Sequence, residues 1–206
     1  MSLIERIIGS ERFNVYGGLL LAVLWGGFSY AHFSKFQVNH DPTLLLVIFS
    51  ETLTAVIFII RAVPKTVSLL AFDWLVALGG SFVPFLLRPT EWGVLPEAVV
   101  LVWLGTVLQI ISLLSLNRSF ALVAAKRDIK TRGMYRYVRH PIYASYVVLF
   151  AGYVLSNTSV ANGLIYALLL VLLACRIARE ERHLGADPVY REYMLAVRYR
   201  LIPYVF

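Results

Sequence analysis

Long apolar runs separated by short polar stretches organise this chain. Four of them, residues 15–31, 43–60, 67–87 and 98–116, reach or approach the ~17–25 residues a helix needs to cross a ~30 Å hydrocarbon layer. Two shorter runs follow, 142–155 and 163–175, separated by Ser156-Asn157-Thr158 and Asn162-Gly163, a small polar stretch that reads as a tight turn. The pattern predicts an all-α fold: a polytopic helical bundle of four spans plus a C-terminal helical hairpin. The hairpin either just crosses or dips in and returns, and in both versions its two ends lie on one face. No internal repeat or linker interrupts the pattern, so residues 1–206 are expected to form one membrane domain.

Composition agrees. Hydrophobic residues make up 59% of the chain and charged ones 15%, against ~45–50% and ~25% in an ordinary soluble domain. The mean hydropathy is +0.74, and a soluble globule of this size lacks the interior to bury so much apolar surface. Cys175 is the only cysteine, which excludes an intrachain disulfide scaffold.

The net charge of +7 would by itself suggest a nucleic-acid partner, but its distribution argues otherwise. Of the 19 Lys and Arg residues, seven fall in residues 118–140 and six from Arg176 onward. Arg6 and Arg12 precede the first span, Arg61 and Lys65 follow the second, and only Lys35 and Arg88 lie on the opposite side. Placing both termini in the cytoplasm puts 17 of the 19 inside, the positive-inside pattern in strong form. The expected location is therefore an inner or endomembrane, multi-pass, with the polar site facing the cytoplasm, membrane lipids as partners and no nucleic acid. Arg6, Arg12, the apolar core and Ser29-Tyr30-Ala31 would also fit a cleaved signal peptide, but five later apolar runs explain membrane targeting without one.

The first four helices offer little chemistry. Glu51 and Asp73 are intramembrane acids, which mark functional sites by default. The plainer expectation is that each is protonated or bonded to a hydroxyl such as that of Thr52, Thr54 or Ser81. Pro84 is expected to kink the third helix, and His32 and His40 to be solvated near the outer loop. With no cysteine cluster and no His-x-x-x-His pair, no metal is expected.

The polar residues that cluster do so in two blocks. The first runs from Ala125 to Tyr143 and the second from Arg176 to Leu184, continuing through Tyr190, Tyr193 and Arg200 to Pro203. The apolar hairpin between them brings the blocks together. Pro141 suits the first turn of a helix, whose free N–H groups and positive dipole end favour a carboxylate or phosphate. Gly133 permits a turn, and Tyr135, Tyr137, Tyr143 and Tyr146 supply faces for a ring or a cation. Arg176 and Glu180, four apart, share a helix face, as do Arg179 and His183. Glu180 beside the anion site would suit a zwitterion such as an amino-acid end. On composition alone, a basic membrane anchor and a charged juxtamembrane helix are the favoured explanation of the blocks.

Residue order adds more. Gly133-x-Tyr135-x-Tyr137-x-Arg139-His140-Pro141-x-Tyr143, followed by Glu180-Glu181-x-x-Leu184, Tyr190-x-x-Tyr193 and Arg200-x-x-Pro203, resembles the isoprenylcysteine carboxyl methyltransferase family, which is related to the membrane phospholipid methyltransferases. The resemblance spans residues 118–203 and implies S-adenosylmethionine-dependent methyl transfer to a lipophilic acceptor at the cytoplasmic face. It divides the domain into N-terminal helices (1–117) and a cofactor-binding and catalytic region (118–206). By resemblance, cofactor contacts fall on Arg127, Asp128, Ile129, Lys130, Tyr135, His140, Pro141, Ile142, Tyr143 and Glu180. Arg176 matches the position that meets the acceptor, and Arg176, His140 and Tyr143 are the catalytic candidates. A family glutamine aligns near Phe120, and Arg127 stands where the family can have a histidine. The absence of a Gly-x-Gly-x-x-Gly after a strand accords with a cofactor held outside a Rossmann unit. A carboxylate acceptor would need only positioning by Arg176, whereas a thiol or amine would need His140 or a tyrosine as base. Two rivals are an NADPH-dependent sterol-type membrane reductase, whose C-terminal region looks similar, and a non-catalytic lipid-binding protein.

Overall fold

The computed structural model describes residues 10–206; Arg6, counted above with the leader, lies outside them. Helix α1 (Glu11–Asn39) begins where the Ser10 hydroxyl accepts the Phe13 N–H at 3.2 Å, with Glu11 opposite the positive dipole end. It stops at His40, whose left-handed backbone (φ 52°) returns its N–H to the Phe36 carbonyl. Helix α2 (Thr43–Ile60) runs back along α1. A short strand, β1 (Thr66–Val67), leads into α3 (Ala71–Phe82), which tightens to a 3₁₀ turn over Val83–Leu86 at Pro84, the site of the expected kink. Helix α4 (Val99–Leu116) follows a 3₁₀ turn at Pro96–Ala98. Strand β2 (Ala125–Lys126), a 3₁₀ turn at Gly133–Arg136, the hairpin helices α5 (Pro141–Ser156) and α6 (Val160–Leu184), and α7 (Pro188–Ala196) complete the chain.

The chain is nearly all helical, as expected, and four helical stretches are long and apolar enough to cross a membrane: α1, α2, Pro96–Ser119 around α4, and α6. Their distribution differs from the sequence pattern in two places. The apolar run 67–87 loses its start to the sheet, because Thr66 and Val67 pair antiparallel with Lys126 and Ala125, leaving a shorter helix over Ala71–Leu86. The second hairpin arm gains a turn, because Ser159 caps it by accepting the Asn162 N–H at 3.1 Å, so Asn162 and Gly163 lie in the helix and the turn is confined to residues 157–159.

The hairpin reaches the far end of the bundle. Its tip lies on the loop between α3 and α4: the Asn162 amide donates to the Arg88 carbonyl at 2.8 Å and accepts the Arg88 N–H at 3.1 Å, and the Thr158 N–H meets the Trp92 carbonyl at 3.0 Å. Helices α4 and α5 approach closely because both contact points are glycines. A Cβ on Gly105 would lie 2.5 Å from the Leu149 nitrogen, and one on Gly152 would lie 2.7 Å from the Ala98 carbonyl. The basic blocks are thus held at one end and the hairpin tip at the other. Phe58, Leu113, Leu169 and Leu173 fill the centre between them.

Asp73 is bonded to a hydroxyl, as expected, although to that of Ser68, while Glu51 has a partner of another kind. Asp73 accepts from Ser68 and from Arg179 on α6, which ties α3 to the hairpin. Glu51 meets His32 Nδ1 at 2.9 Å, so His32, although 33% exposed, is held by a carboxylate of α2 and not by water alone. His183, expected to share a face with Arg179, bonds the Thr66 hydroxyl at 3.1 Å.

Candidate active site

The site is built on α6 and the start of α5. Adjacent helical residues point about 100° apart, so Glu180 and Glu181 serve different surroundings. Glu181 faces the C-terminal segment. It accepts from Arg139 Nε at 2.8 Å and Arg200 Nε at 3.0 Å, and lies 3.2 Å from His140 Nε2. Arg139 also donates to the carbonyls of Val197 and Arg198, both at 2.8 Å. The backbone N–H groups of Arg139 and His140 donate to the Tyr199 and Arg200 carbonyls at 2.9 and 2.8 Å. The C-terminal segment is thereby strapped to the Arg139-His140-Pro141 element just where α5 begins.

Glu180 faces inward. One oxygen accepts from the Tyr143 hydroxyl and lies 4.0 Å from Arg176 Nε; the other is 3.9 Å from His140 Nδ1. The His140 and Tyr143 rings stack at 5.6 Å between centroids, 10° from parallel, and the Arg176 guanidinium lies 4.9 Å over the Tyr143 ring. Arg176, only 5% exposed, donates to Ser81 Oγ at 3.2 Å and to the Leu122 carbonyl at 2.9 Å, while its Nε is buried without a partner.

These groups open onto one cavity, the concave kind of place where small molecules are bound. Arg127, Asp128, Ile129, Lys130, Tyr135, His140, Ile142, Tyr143, Arg176 and Glu180 all line it. Of the residues singled out from the sequence, Pro141 does not line it; it is buried at the first position of α5, where a missing N–H costs nothing. Tyr137 is exposed, whereas Tyr146 joins the lining. Tyr135 is buried and its phenol is pushed well above its ordinary value by that burial, so it stays neutral. Tyr193 donates to the Tyr135 carbonyl at 2.8 Å and closes that side.

Arg127 lines the cavity, but its bonds run away from it, to the Ala62 carbonyl at 2.7 Å and Asn14 Oδ1 at 3.2 Å. Burial, aided by the charge of Arg61, lowers it to about 10, so it remains cationic at neutral pH. The sequence reading did not include Trp25 or the extended stretch 121–124 among the lining residues. Both belong to uncharged segments, and only the tertiary path brings them to the site. The strapping role of Glu181 was also missed, although its pairing with Arg200 at the far end of the second block was a usable sign. Among the described residues no group of three or more His, Cys, Asp or Glu side chains is placed to hold a metal ion.

Gly133 sets the turn that delivers Tyr135. Its φ is +63°, and a Cβ there would lie 2.5 Å from Ser115 Oγ, which itself accepts the Met134 N–H at 3.3 Å. Gly133→Ala is therefore expected to cost at least about 1–2 kcal/mol from the left-handed backbone alone. A lowered midpoint of thermal unfolding in detergent checks it, and an unchanged midpoint contradicts it.

Residues 95–190 match the model of the phospholipid methyltransferase family. The match bears out the resemblance and extends it backward over α4, and it contains Arg176, His140, Tyr143 and Glu180. No curated protein matches the chain. Together with the four apolar helices, the match supports a membrane methyltransferase.

Proposed function

We propose that the protein transfers the methyl group of S-adenosylmethionine to a lipophilic acceptor bearing a carboxylate, of isoprenylcysteine type, on the membrane face that carries the basic blocks. The observation that carries this reading is the convergence of Glu180, His140, Tyr143 and Arg176 on one cavity, whose wall also includes apolar residues such as Trp25, Leu116 and Ile142.

The side chains present fit such a donor and acceptor. Among the described residues one Glu180 oxygen accepts no hydrogen bond and lies 3.9 Å from His140 Nδ1, which suits a cationic amine. The N–H groups of Ile142 and Tyr143 precede the first helical bond of α5, from Ala144 to His140, and suit an anion. The Arg176 Nε, buried, 4.0 Å from Glu180 and without a hydrogen-bond partner, is a donor that an acceptor carboxylate could satisfy. Segment 127–130 and Tyr135 border the remainder.

S-adenosylmethionine, when bound, supplies a methyl group already electrophilic on its sulfonium. The protein's own task is alignment and exclusion of water. Arg176, fixed by Ser81, Leu122 and the face of Tyr143, positions the acceptor carboxylate. Glu181 holds His140 from behind, and His140 stacked on Tyr143 keeps Glu180 oriented. A carboxylate acceptor needs no base. Trp25, Leu116 and Ile142 keep the surroundings apolar, which favours a transition state in which opposite charges merge. Because Trp25, Ser81 and Leu116 belong to membrane helices or their ends, the acceptor enters laterally from the bilayer.

Incubating the protein with membrane extract and S-adenosylmethionine labelled in its methyl group tests this. A lipid-soluble product whose label is released by mild base, as a methyl ester's would be, is expected. Label that enters only water-soluble or base-stable products contradicts the acceptor class.

A further inference from the structure

A second cavity lies beside the first, and residues 121–123, Ala125 and Arg127 line both. It has two unlike ends. At the end nearest the basic blocks are Asn14, Arg61 and Arg127; away from it, Leu20 and Leu21 of α1 and Leu78 of α3 make an apolar floor.

The polar end is incompletely satisfied. Arg61 donates from Nη2 to the Asn14 carbonyl at 3.0 Å, and Arg127 donates to Ala62 and Asn14, all of them neutral oxygens. Among the described residues neither guanidinium has a carboxylate within ion-pair reach. Arg61 Nε and Arg127 Nη1 are both buried without any hydrogen-bond partner, and Arg127 as a whole is only 6% exposed. Two like charges drawn together out of water with spare donors are costly unless an anion joins them. Gly17 lets Arg61 pack closely against α1, since a Cβ there would lie 3.2 Å from Arg61 Nη2.

We propose that this cavity holds the phosphate of an anionic membrane lipid between Arg61 and Arg127, with an acyl chain laid along Leu20, Leu21 and Leu78. Guanidinium forks match phosphate oxygens, and the apolar floor favours a lipid over a free anion. The polar end also lies where a headgroup would, at the membrane edge where α2 ends and the basic blocks begin. The proposal does not depend on methyl transfer, because the site would be filled whatever the neighbouring cavity does.

Native mass spectrometry of the full chain in neutral detergent tests it, with phosphatidylglycerol, diacylglycerol and inorganic phosphate as probes. One phosphatidylglycerol is expected to remain bound, with diacylglycerol and inorganic phosphate each at least about tenfold weaker. Arg61→Gln, which keeps a donor for Asn14, is expected to weaken the phospholipid by about tenfold. Should that variant fail to fold, Arg61→Lys, which keeps the charge and loses the fork, is expected to weaken it about threefold. Diacylglycerol or inorganic phosphate binding as well as the phospholipid, or unchanged phospholipid binding in the folded variant, overturns the proposal.

Discussion

Glu181→Ala lowers the stability of the protein by about 3–5 kcal/mol, the cost of leaving a buried ionic cluster without its common acceptor. Against a total of ~5–15 kcal/mol for a folded domain, this is a large share. The carboxylate side chain is 10% exposed and that of Arg139 is 7% exposed, so neither is well hydrated once the other is removed. Arg200, at 40%, contributes little. The loss is also local in kind. Arg139 and His140 hold the 197–200 segment through side chain and backbone, so the C-terminal strap should loosen before the hairpin does. A much lower unfolding midpoint, together with new proteolytic cleavage after Arg198 or Arg200, is the expected result. An unchanged midpoint shows that the cluster is not what holds the segment.

Its neighbour fails differently. Glu180→Gln retains the shape and an oxygen to accept from Tyr143, so the folded state is preserved to within about 1 kcal/mol. What is lost is the negative charge beside His140 and Arg176. If that charge grips the donor's cationic end, methyl transfer at limiting S-adenosylmethionine falls by about tenfold to a hundredfold, the equivalent of one charge-assisted hydrogen bond. Near-normal turnover in the folded variant removes Glu180 from the site. The two different expected outcomes follow from the different headings of adjacent glutamates on one helix.

Much of this architecture was legible along the chain because its causes are local or periodic. Apolar runs long enough to cross a membrane, Pro141 opening a helix, Gly133 in a turn and Arg176 one turn before Glu180 all depend on neighbours within a few residues. The features that were not legible depend on distant partners. Val67 reads as membrane helix until Ala125 is known to pair with it, and Asp73 reads as a lone intramembrane acid until Arg179 reaches it from α6. The pairing of His32 with Glu51, and the turning of Arg127 toward Asn14, require the packing of α1 to be known. The candidate site was readable as a set of residues, whereas which oxygen each nitrogen meets was not.

Calorimetric titration of the purified protein with S-adenosylmethionine and, separately, with NADPH bears most directly on the central claim that the cavity bounded by His140 and Glu180 receives a methyl donor. One equivalent of S-adenosylmethionine is expected to bind with measurable heat, and NADPH is expected to show no saturable binding. Saturable binding of NADPH with none of S-adenosylmethionine would contradict the account.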